Sequence, residues 1–227
     1  FYPQAGWLNP EPVVKSLFRQ ADSDIVNHNV QNISRMTNGG WRVSLSNGEN
    51  IQAKRVVLAT GHRFNELLPA DVEPLPIKPV RGQITQVKTT TSLAHLKTVL
   101  CYKGYLVPES EGIHCLGATF NRGEADLATR LEDNEENLKQ LCDNAKQSWT
   151  EELSVVGQRA SVRATTPDHQ PIAGMLDRGL YGLTGLGSRG FTSAPLLGEI
   201  LAGLISNDTL PLTDDALARL SPARFRR

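Results

Sequence analysis

The spacing of apolar positions predicts four helices, one near the start of the chain and three in its second half. Val13, Val14, Leu17 and Phe18 form a stripe at helical spacing, and Asn9 stands where an N-cap is expected. The helices are predicted over residues 10–21, 131–149, 191–206 and 213–219. The sequence shows no internal repeat and no low-complexity tract.

Strand patterns occupy most of the remaining chain. Residues 41–46 alternate between apolar and polar, Asn47-Gly48 is a hairpin turn signal, and Ile51 begins the return strand. The run Arg55–Ala59 is continuously apolar and typical of a buried parallel strand. Further strands are predicted over 24–28, 30–36, 80–88, 97–102, 105–108, 113–119, 155–164 and 180–184. A proline-rich loop is expected near residues 69–79.

The order of these elements predicts an α/β (α+β) fold. The two short apolar strands RVVLA and LYGLT have the character of a nucleotide-binding sheet. Between them lie antiparallel strand patterns and one long helix. We therefore expect two lobes whose chain segments interleave.

Composition and charge exclude several classes. Lys+Arg and Asp+Glu are both 24, so the basic excess of a free-standing nucleic-acid binder is missing. No apolar run is long enough to predict a membrane span. The three cysteines and five histidines lack metal-ligand spacing, so we expect reduced thiols in a cytoplasmic protein and no metal site. The opening FYPQAGWLNP lacks a Met, which suggests a fragment or processed piece.

The segment YGLTGLGSRG is the strongest candidate binding element. Gly185, Gly187 and Gly190 permit close backbone approach, and unpaired amides begin the helix that follows. Such a helix end favours a phosphate or the edge of a flavin ring that gains negative charge on reduction. The alternative is a turn into a core helix. GLGSRG matches the dinucleotide fingerprint as a string, but no further strand pattern with a terminal acidic residue follows its helix, so we do not assign it that role.

Four other residues are candidates, and three of them have an ordinary alternative. Gly61 ends the RVVLATG strand and would let the backbone pass close to a cofactor, or it simply ends a buried strand. Arg163 precedes a Pro-Asp turn and would present its guanidinium to a carboxylate, or it forms a surface ion pair. Arg189 offers a second guanidinium. Tyr105 supplies a hydroxyl to a pocket, or it packs at a sheet edge.

Seven segments occur together in an order that resembles the D-amino-acid-oxidase superfamily of FAD enzymes. They are AGWLNP (5–10), ATG (59–61), KPVRGQ (78–83), GYLVP (104–108), LGATF (116–120), RATTPDHQPIAG (163–174) and GLGSRG (185–190). Within that superfamily the chain is most similar to the FAD-dependent half of bifunctional enzymes that modify the wobble uridine of tRNA.

The resemblance implies a partial Rossmann-type FAD domain and an antiparallel-sheet substrate domain. The implied segments are 1–29 (substrate lobe), 30–66 (FAD domain), 67–160 (substrate domain) and 161–227 (FAD domain). The superfamily's Rossmann fingerprint and the methyltransferase half are not found in this sequence. We therefore expect the isolated chain to bind FAD weakly or not at all, and to be inactive alone.

The resemblance also implies a reaction. FAD would oxidise the C–N bond of a carboxymethylaminomethyl group on the wobble uridine, and water would then release glyoxylate and leave aminomethyl-uridine. S-adenosylmethionine would serve only the methyltransferase half. Arg163 would bind the substrate carboxylate, with Arg189 as second candidate, and Tyr105 would line the substrate face of the flavin. The implied cofactor contacts are Val30, Gly61, Gly185, Gly187, Ser188, Arg189 and Gly190.

Two alternatives stay open at this point. One is an oxidase or dehydrogenase of the same superfamily that acts on a free amino acid such as glycine, and the other is a non-catalytic module. The tRNA partner is weakly marked, because each basic set is better explained as a solvated surface. The two sets are Lys78, Arg81, Lys88, Lys97 and Lys103, and Arg224, Arg226 and Arg227. The sequence does not indicate an oligomeric state.

Overall fold

A computed structural model describes residues 2–226, apart from the side chains of Gln147 and Ser148. Its helices are α1 (Pro10–Gln20), α2 (Leu131–Asn144), α3 (Gln147–Thr150), α4 (Gly190–Ser206) and α5 (Asp214–Leu220). Its strands are β1 (Val30–Arg35), β2 (Trp41–Leu45), β3 (Asn50–Ala53), β4 (Val56–Leu58), β5 (Lys78–Lys88), β6 (Leu100–Cys101), β7 (Tyr105–Leu106), β8 (Ile113–Gly117), β9 (Asn121–Arg122), β10 (Val155–Thr165), β11 (Ile172–Asp177) and β12 (Leu180–Thr184).

The chain divides into two compact units, each built from two separate segments. Unit 1 comprises Phe1–Asp22 and Val80–Val162, and unit 2 comprises Ser23–Pro79 and Arg163–Arg227. The sequence analysis instead placed the boundaries between its four segments after residues 29, 66 and 160. The functional roles given to those segments stay a prediction.

Unit 1 contains most of a six-stranded sheet with the order β10-β5-β8-β7-β6, in which β9 also pairs with β5. Its apolar core joins this sheet to α2 through Val87, Leu93, Leu96, Leu106, Leu116 and Leu141. A buried polar cluster lies beside that core, where Arg81 and Gln83 of β5 meet Asp133 of α2 and the Arg130 backbone. The antiparallel pairing of β5 with β8 and of β7 with β8 confirms the predicted antiparallel sheet.

Unit 2 contains two three-stranded sheets. The first is the antiparallel meander β1-β2-β3, whose Ser44↔Asn50 pairing closes the hairpin turn predicted at Asn47-Gly48. The second has the order β11-β12-β4, with β12 antiparallel to β11 and parallel to β4. Helix α4 covers this second sheet by burying Leu197, Ile200 and Leu201 against Ala173 and Tyr181.

Two sequence predictions about elements are wrong, and one strand was not predicted. Residues 24–28 form no strand; Ile25 and Val26 are 70% and 49% exposed, so burial does not favour one. The helix predicted to run to residue 149 stops at Asn144, because Ala145 adopts extended backbone angles, and α3 follows separately. Strand β11 was missed because its sequence mixes glycine with apolar residues, although it pairs along the whole of β12.

Two helix predictions are confirmed in detail. Helix α1 begins at Pro10 with Asn9 as its cap, whose side chain accepts a hydrogen bond from the Glu11 amide at 3.2 Å. Helix α4 spans one residue more than the predicted 191–206. None of the described residues of α1 is buried, so its apolar stripe is not part of either core.

Candidate cofactor site

Two parallel strands of unit 2 end side by side and carry the predicted glycines. The register Gly182↔Leu58 aligns β12 with β4, and the chain then reaches Gly185 and Gly61. The buried Thr184 hydroxyl donates to the Gly61 carbonyl oxygen at 3.0 Å and ties the two strand ends together. In open α/β sheets, ligands bind at the carboxyl ends of parallel strands. The structure thus brings together two glycines that the sequence only suggested separately.

The glycines at these strand ends adopt backbone angles that other residues rarely accept. Gly61, Gly185 and Gly187 have φ values of +61°, +70° and +57°. An ideal Cβ on Gly185 would lie 2.8 Å from Cγ2 of Thr166, whereas one on Gly61 would meet nothing within 4 Å. Gly185 is therefore required by a contact as well as by its backbone angle. The space beside Gly61 is open to a bound group.

The residues from Gly185 to Gly190 form the glycine turn, which leads directly into helix α4. The helix has no side-chain cap among the described residues. Its first residue is Gly190, and Arg189 occupies the N-cap position without a side-chain hydrogen bond to the helix amides. The first amides of a helix are unpaired donors at its positive end. Ser188 and Arg189 are exposed on the turn. The arrangement can therefore accept an anionic group or the electron-rich edge of a reduced ring.

Arg163 lies near the end of β10, the strand whose last residue, Thr165, comes close to Gly187 of the glycine turn. It is half-buried in β10, two residues before Thr165, and the Thr165 methyl is 3.9 Å from an ideal Cβ on Gly187. The next residue, Thr166, contacts Gly185. Arg163 is thus two and three positions before Thr165 and Thr166, the residues that lie beside the glycine turn.

Two further predicted site residues, Tyr105 and Val30, lie on other elements. Tyr105 belongs to unit 1, where it is half-buried in β7 opposite Gly117, and its carbonyl accepts from the Tyr102 hydroxyl at 3.3 Å. Val30 begins β1 in the other sheet of unit 2 and packs against the apolar core there. Their assignments to substrate and cofactor stay predictions.

The sequence analysis missed the residues that hold the loop beside the turn. Thr166 is 2% exposed and donates to the Gln170 carbonyl oxygen at 2.7 Å. Asp168 pairs with Arg224 at 2.8 Å, and this hydrogen bond is the main reason why the pKa of Asp168 falls to about 2. The Pro167-Asp168 dipeptide was a turn signal, but its partner lies 56 residues away.

The structure changes the interpretation of both basic sets. Arg81 is wholly buried and pairs with Asp133 at 2.5 Å, so it cannot contribute to a solvated surface or to an RNA contact. Arg224 is engaged by Asp168, and Arg227 lies outside the described residues. The other members of the first set, which are Lys78, Lys88, Lys97 and Lys103, are exposed.

Residues 2–226 contain neither a cluster of metal-binding side chains nor a membrane-spanning helix. No group of three or more His, Cys, Asp or Glu side chains is placed to hold a metal ion there. No helix in that range is long and apolar enough to cross a bilayer.

The glycine-lined strand ends and the antiparallel sheet unit are the architecture of a flavin-dependent oxidoreductase. The chain belongs to the family described as FAD dependent oxidoreductase (DAO), whose profile matches residues 1–204. This confirms the resemblance and the fold class predicted from the sequence. The paired strand ends at Gly61 and Gly185 and the uncapped start of α4 fit a role in holding part of FAD, the cofactor of this family.

Curated relatives are similar to nearly the whole chain. A protein of Idiomarina loihiensis named "tRNA 5-methylaminomethyl-2-thiouridine biosynthesis bifunctional protein MnmC" is 53% identical over 225 residues, which are 99% of this chain and 37% of the relative. The protein of that name from Aeromonas hydrophila is 37% identical over 258 residues, covering 99% of this chain and 38% of its own length. The chain thus spans less than two-fifths of these relatives.

Solved structures share the fold. Glycine oxidase from Geobacillus kaustophilus superimposes with a TM-score of 0.76 at 24% identity, covering 86% of this chain and 52% of the oxidase. Iminodiacetate oxidase from Chelativorans gives a TM-score of 0.80 at 22% identity, covering 92% of this chain and 57% of that enzyme. At these identities the likeness defines the fold alone.

Proposed function

We propose that this chain is part of an FAD-dependent oxidase that removes the carboxymethyl group from carboxymethylaminomethyl-(2-thio)uridine at the wobble position of tRNA. The observation that carries the proposal is 53% identity, over 99% of the chain, to a bifunctional protein of 5-methylaminomethyl-2-thiouridine biosynthesis. The paired strand ends at Gly61 and Gly185 supply a place for the flavin ring.

The reaction is an oxidation followed by a hydrolysis. The N–CH2–COO⁻ arm loses two electrons and two protons, which gives an imine between the nitrogen and the carbon that bears the carboxylate. Water adds to that carbon, the C–N bond breaks, and the products are aminomethyl-uridine and glyoxylate. FAD, when bound, supplies the two-electron acceptor.

The residues of this chain have separate roles in the proposal. The Arg163 guanidinium holds the substrate carboxylate through a planar two-point contact, with Arg189 as the second candidate. The amides that begin α4 and those of the turn Gly187–Gly190 would hold the ring of FAD, and as hydrogen-bond donors they would stabilise the negative charge of the reduced cofactor. Tyr105 contributes a hydroxyl to the substrate side.

The proposal also includes the cellular location of the substrate and the second activity of the bifunctional protein. The substrate is a cytoplasmic tRNA, no metal takes part, and an S-adenosylmethionine-dependent methyltransferase belongs to a region outside this sequence. We expect the 227-residue chain alone to bind FAD weakly or not at all, and to be inactive alone. The glycine turn accounts for contacts to the ring, whereas this sequence has no fingerprint for the pyrophosphate.

The experiment is an assay of the natural full-length protein with tRNA that carries the carboxymethylaminomethyl group. Aminomethyl nucleoside is measured by mass spectrometry of digested tRNA, and glyoxylate by derivatisation. Turnover of the tRNA without turnover of glycine supports the proposal. Turnover of glycine alone indicates an amino-acid oxidase, and no turnover with bound FAD indicates a non-catalytic module.

Substitution of Arg163 tests the carboxylate contact. Arg163→Ala is expected to lower kcat/KM by about a hundredfold, because a charge-assisted two-point contact is lost, whereas Arg163→Lys retains part of the effect. Arg159→Ala is the matched control, since Arg159 is exposed on the same strand four residues earlier. Equal rates for Arg163→Ala and Arg159→Ala would overturn the assignment.

A further inference from the structure

The last helical turn of the described chain carries an arginine with an unusually complete set of partners. Arg224 belongs to the 3-10 helix Pro222–Phe225. Its Nε and Nη2 donate to the two carboxylate oxygens of Asp168 at 2.8 and 3.3 Å, and Nη2 also donates to the Gln170 carbonyl oxygen at 2.8 Å. Its side chain is only 13% exposed and lies over the Phe225 ring at 4.3 Å. This arginine is held in one geometry.

The partners of Arg224 close the loop between β10 and β11. The Asp168 carboxylate accepts from the Gln170 amide at 3.1 Å, and the Gln170 carbonyl accepts from both Arg224 and the Thr166 hydroxyl. The Gln170 carbonyl oxygen therefore links Arg224, near the end of the described chain, to Thr166. Among the described residues, the other hydrogen bonds of this loop are internal to it, from His169 to Thr166, from Thr166 to Gln170 and from Gln170 to Asp168.

Thr166 is the point where this loop meets the candidate cofactor site. Its methyl group lies so close to Gly185 that a Cβ there would be 2.8 Å away, and both residues are buried. Gly185 follows Thr184, whose hydroxyl donates to the carbonyl oxygen of Gly61, three residues after the end of β4. The contacts are thus continuous from Arg224 to the paired strand ends.

We propose that Arg224, acting through Asp168 and Gln170, is a positioning residue that sets the conformation of the glycine turn and thereby its affinity for the flavin ring. The cofactor part of this inference rests on the proposed function. The turn's conformation does not, and it can be measured without any cofactor.

The test uses hydrogen exchange and FAD titration on the 227-residue chain. The variants are Arg224→Ala, Arg224→Lys and Asp168→Asn. Arg219→Ala is the matched control, because Arg219 pairs with Asp215 on α5 with side chains 73% and 82% exposed. Thermal unfolding checks that each variant is folded. Amide exchange is followed separately in residues 184–190 and 166–170, and FAD affinity by flavin fluorescence.

Arg224→Ala is expected to speed exchange in residues 184–190 about tenfold, since a charge-assisted contact is lost, and Arg224→Lys is expected to restore part of the protection. FAD affinity should fall by a similar factor, and Arg219→Ala should change neither quantity.

Unchanged exchange in residues 184–190, with faster exchange confined to 166–170, would overturn the proposal, because Arg224 would then only fasten the tail. If the unsubstituted chain binds no FAD, the titration moves to the natural full-length protein. Failure to bind there would count against the proposed function, while the exchange result would still decide the role of Arg224.

Discussion

The buried ion pair between Arg81 and Asp133 permits a quantitative prediction about stability. Arg81 is 0% exposed and Asp133 is 5% exposed, and their Nη1 and Oδ2 atoms are 2.5 Å apart. The Nη2 atom of Arg81 also donates to the Ala128 carbonyl oxygen and to the Gln83 side chain. Replacing Arg81 by Met keeps an unbranched apolar stem but leaves the Asp133 carboxylate without its buried partner.

The magnitude follows from the groups left unpaired. Removing one member of a buried pair costs about 3–5 kcal/mol, so Arg81→Met should lower the free energy of unfolding by that amount. In the double variant Arg81→Met with Asp133→Leu no unpaired charge remains. Gln83 keeps the Arg130 amide as a donor at 2.8 Å, so the Ala128 carbonyl is the main acceptor left, at a cost of about 1–3 kcal/mol. The double variant should therefore be about 2 kcal/mol more stable than the single one.

The assay is equilibrium unfolding in urea, followed by tryptophan fluorescence and circular dichroism. The control is Arg219→Met, which removes an exposed ion pair and should cost less than about 1 kcal/mol. A loss below about 1 kcal/mol for Arg81→Met would show that water reaches Asp133. A double variant no more stable than the single one would refute the reasoning that the unpaired charge dominates.

Three further predictions follow from single residues. Gly185→Ala should lower the free energy of unfolding by about 1–2 kcal/mol because of the left-handed φ, and by a further amount because the new Cβ meets Thr166. Gly48→Ala is the control, since Gly48 has φ +87° and nothing within 4 Å of an added Cβ, so it should show the backbone cost only. Equal losses for the two variants in denaturant unfolding would contradict the Thr166 contact. The pKa of Asp168 is lowered to about 2, so its stabilising effect is present above about pH 4 and lost as the pH falls through 2. Asp168→Asn should therefore lower the free energy of unfolding by at most about 1 kcal/mol near neutral pH, since the carboxylate is 37% exposed. If the variant is still less stable than the unsubstituted chain by the same amount near pH 2, ionisation of Asp168 is not the source of the effect. Burial raises the pKa of the Cys115 thiol, so Ellman's reagent should modify the exposed Cys101 and Cys142 at least about tenfold faster, and three equal rates would be inconsistent with that burial.

Local patterns were sufficient for the elements that form the candidate site. The apolar run at Val56–Leu58 and the strand Leu180–Thr184 were both predicted, and their parallel pairing is confirmed. The predicted burial of the first strand is wrong in part, because Leu58 is buried whereas Val57 is 43% exposed. The glycines after these strands were identified because few other residues accept a positive φ. Strand β11 was not found, since a strand that contains glycine is specified by its partner more than by its own pattern.

The sequence by itself determined the family, through motifs spread along the chain. It also determined most of the helices and strands and the glycine turn that opens α4, because such elements depend on residues near one another in the chain. Only the tertiary structure decided which distant residues meet. Thr184 and Gly61 are 123 positions apart, and Arg224 and Asp168 are 56 apart. It also decided that Arg81 is a buried partner of Asp133 rather than part of a basic surface. Burial and pairing of a charged side chain depend on what the fold packs around it, which no local pattern contains.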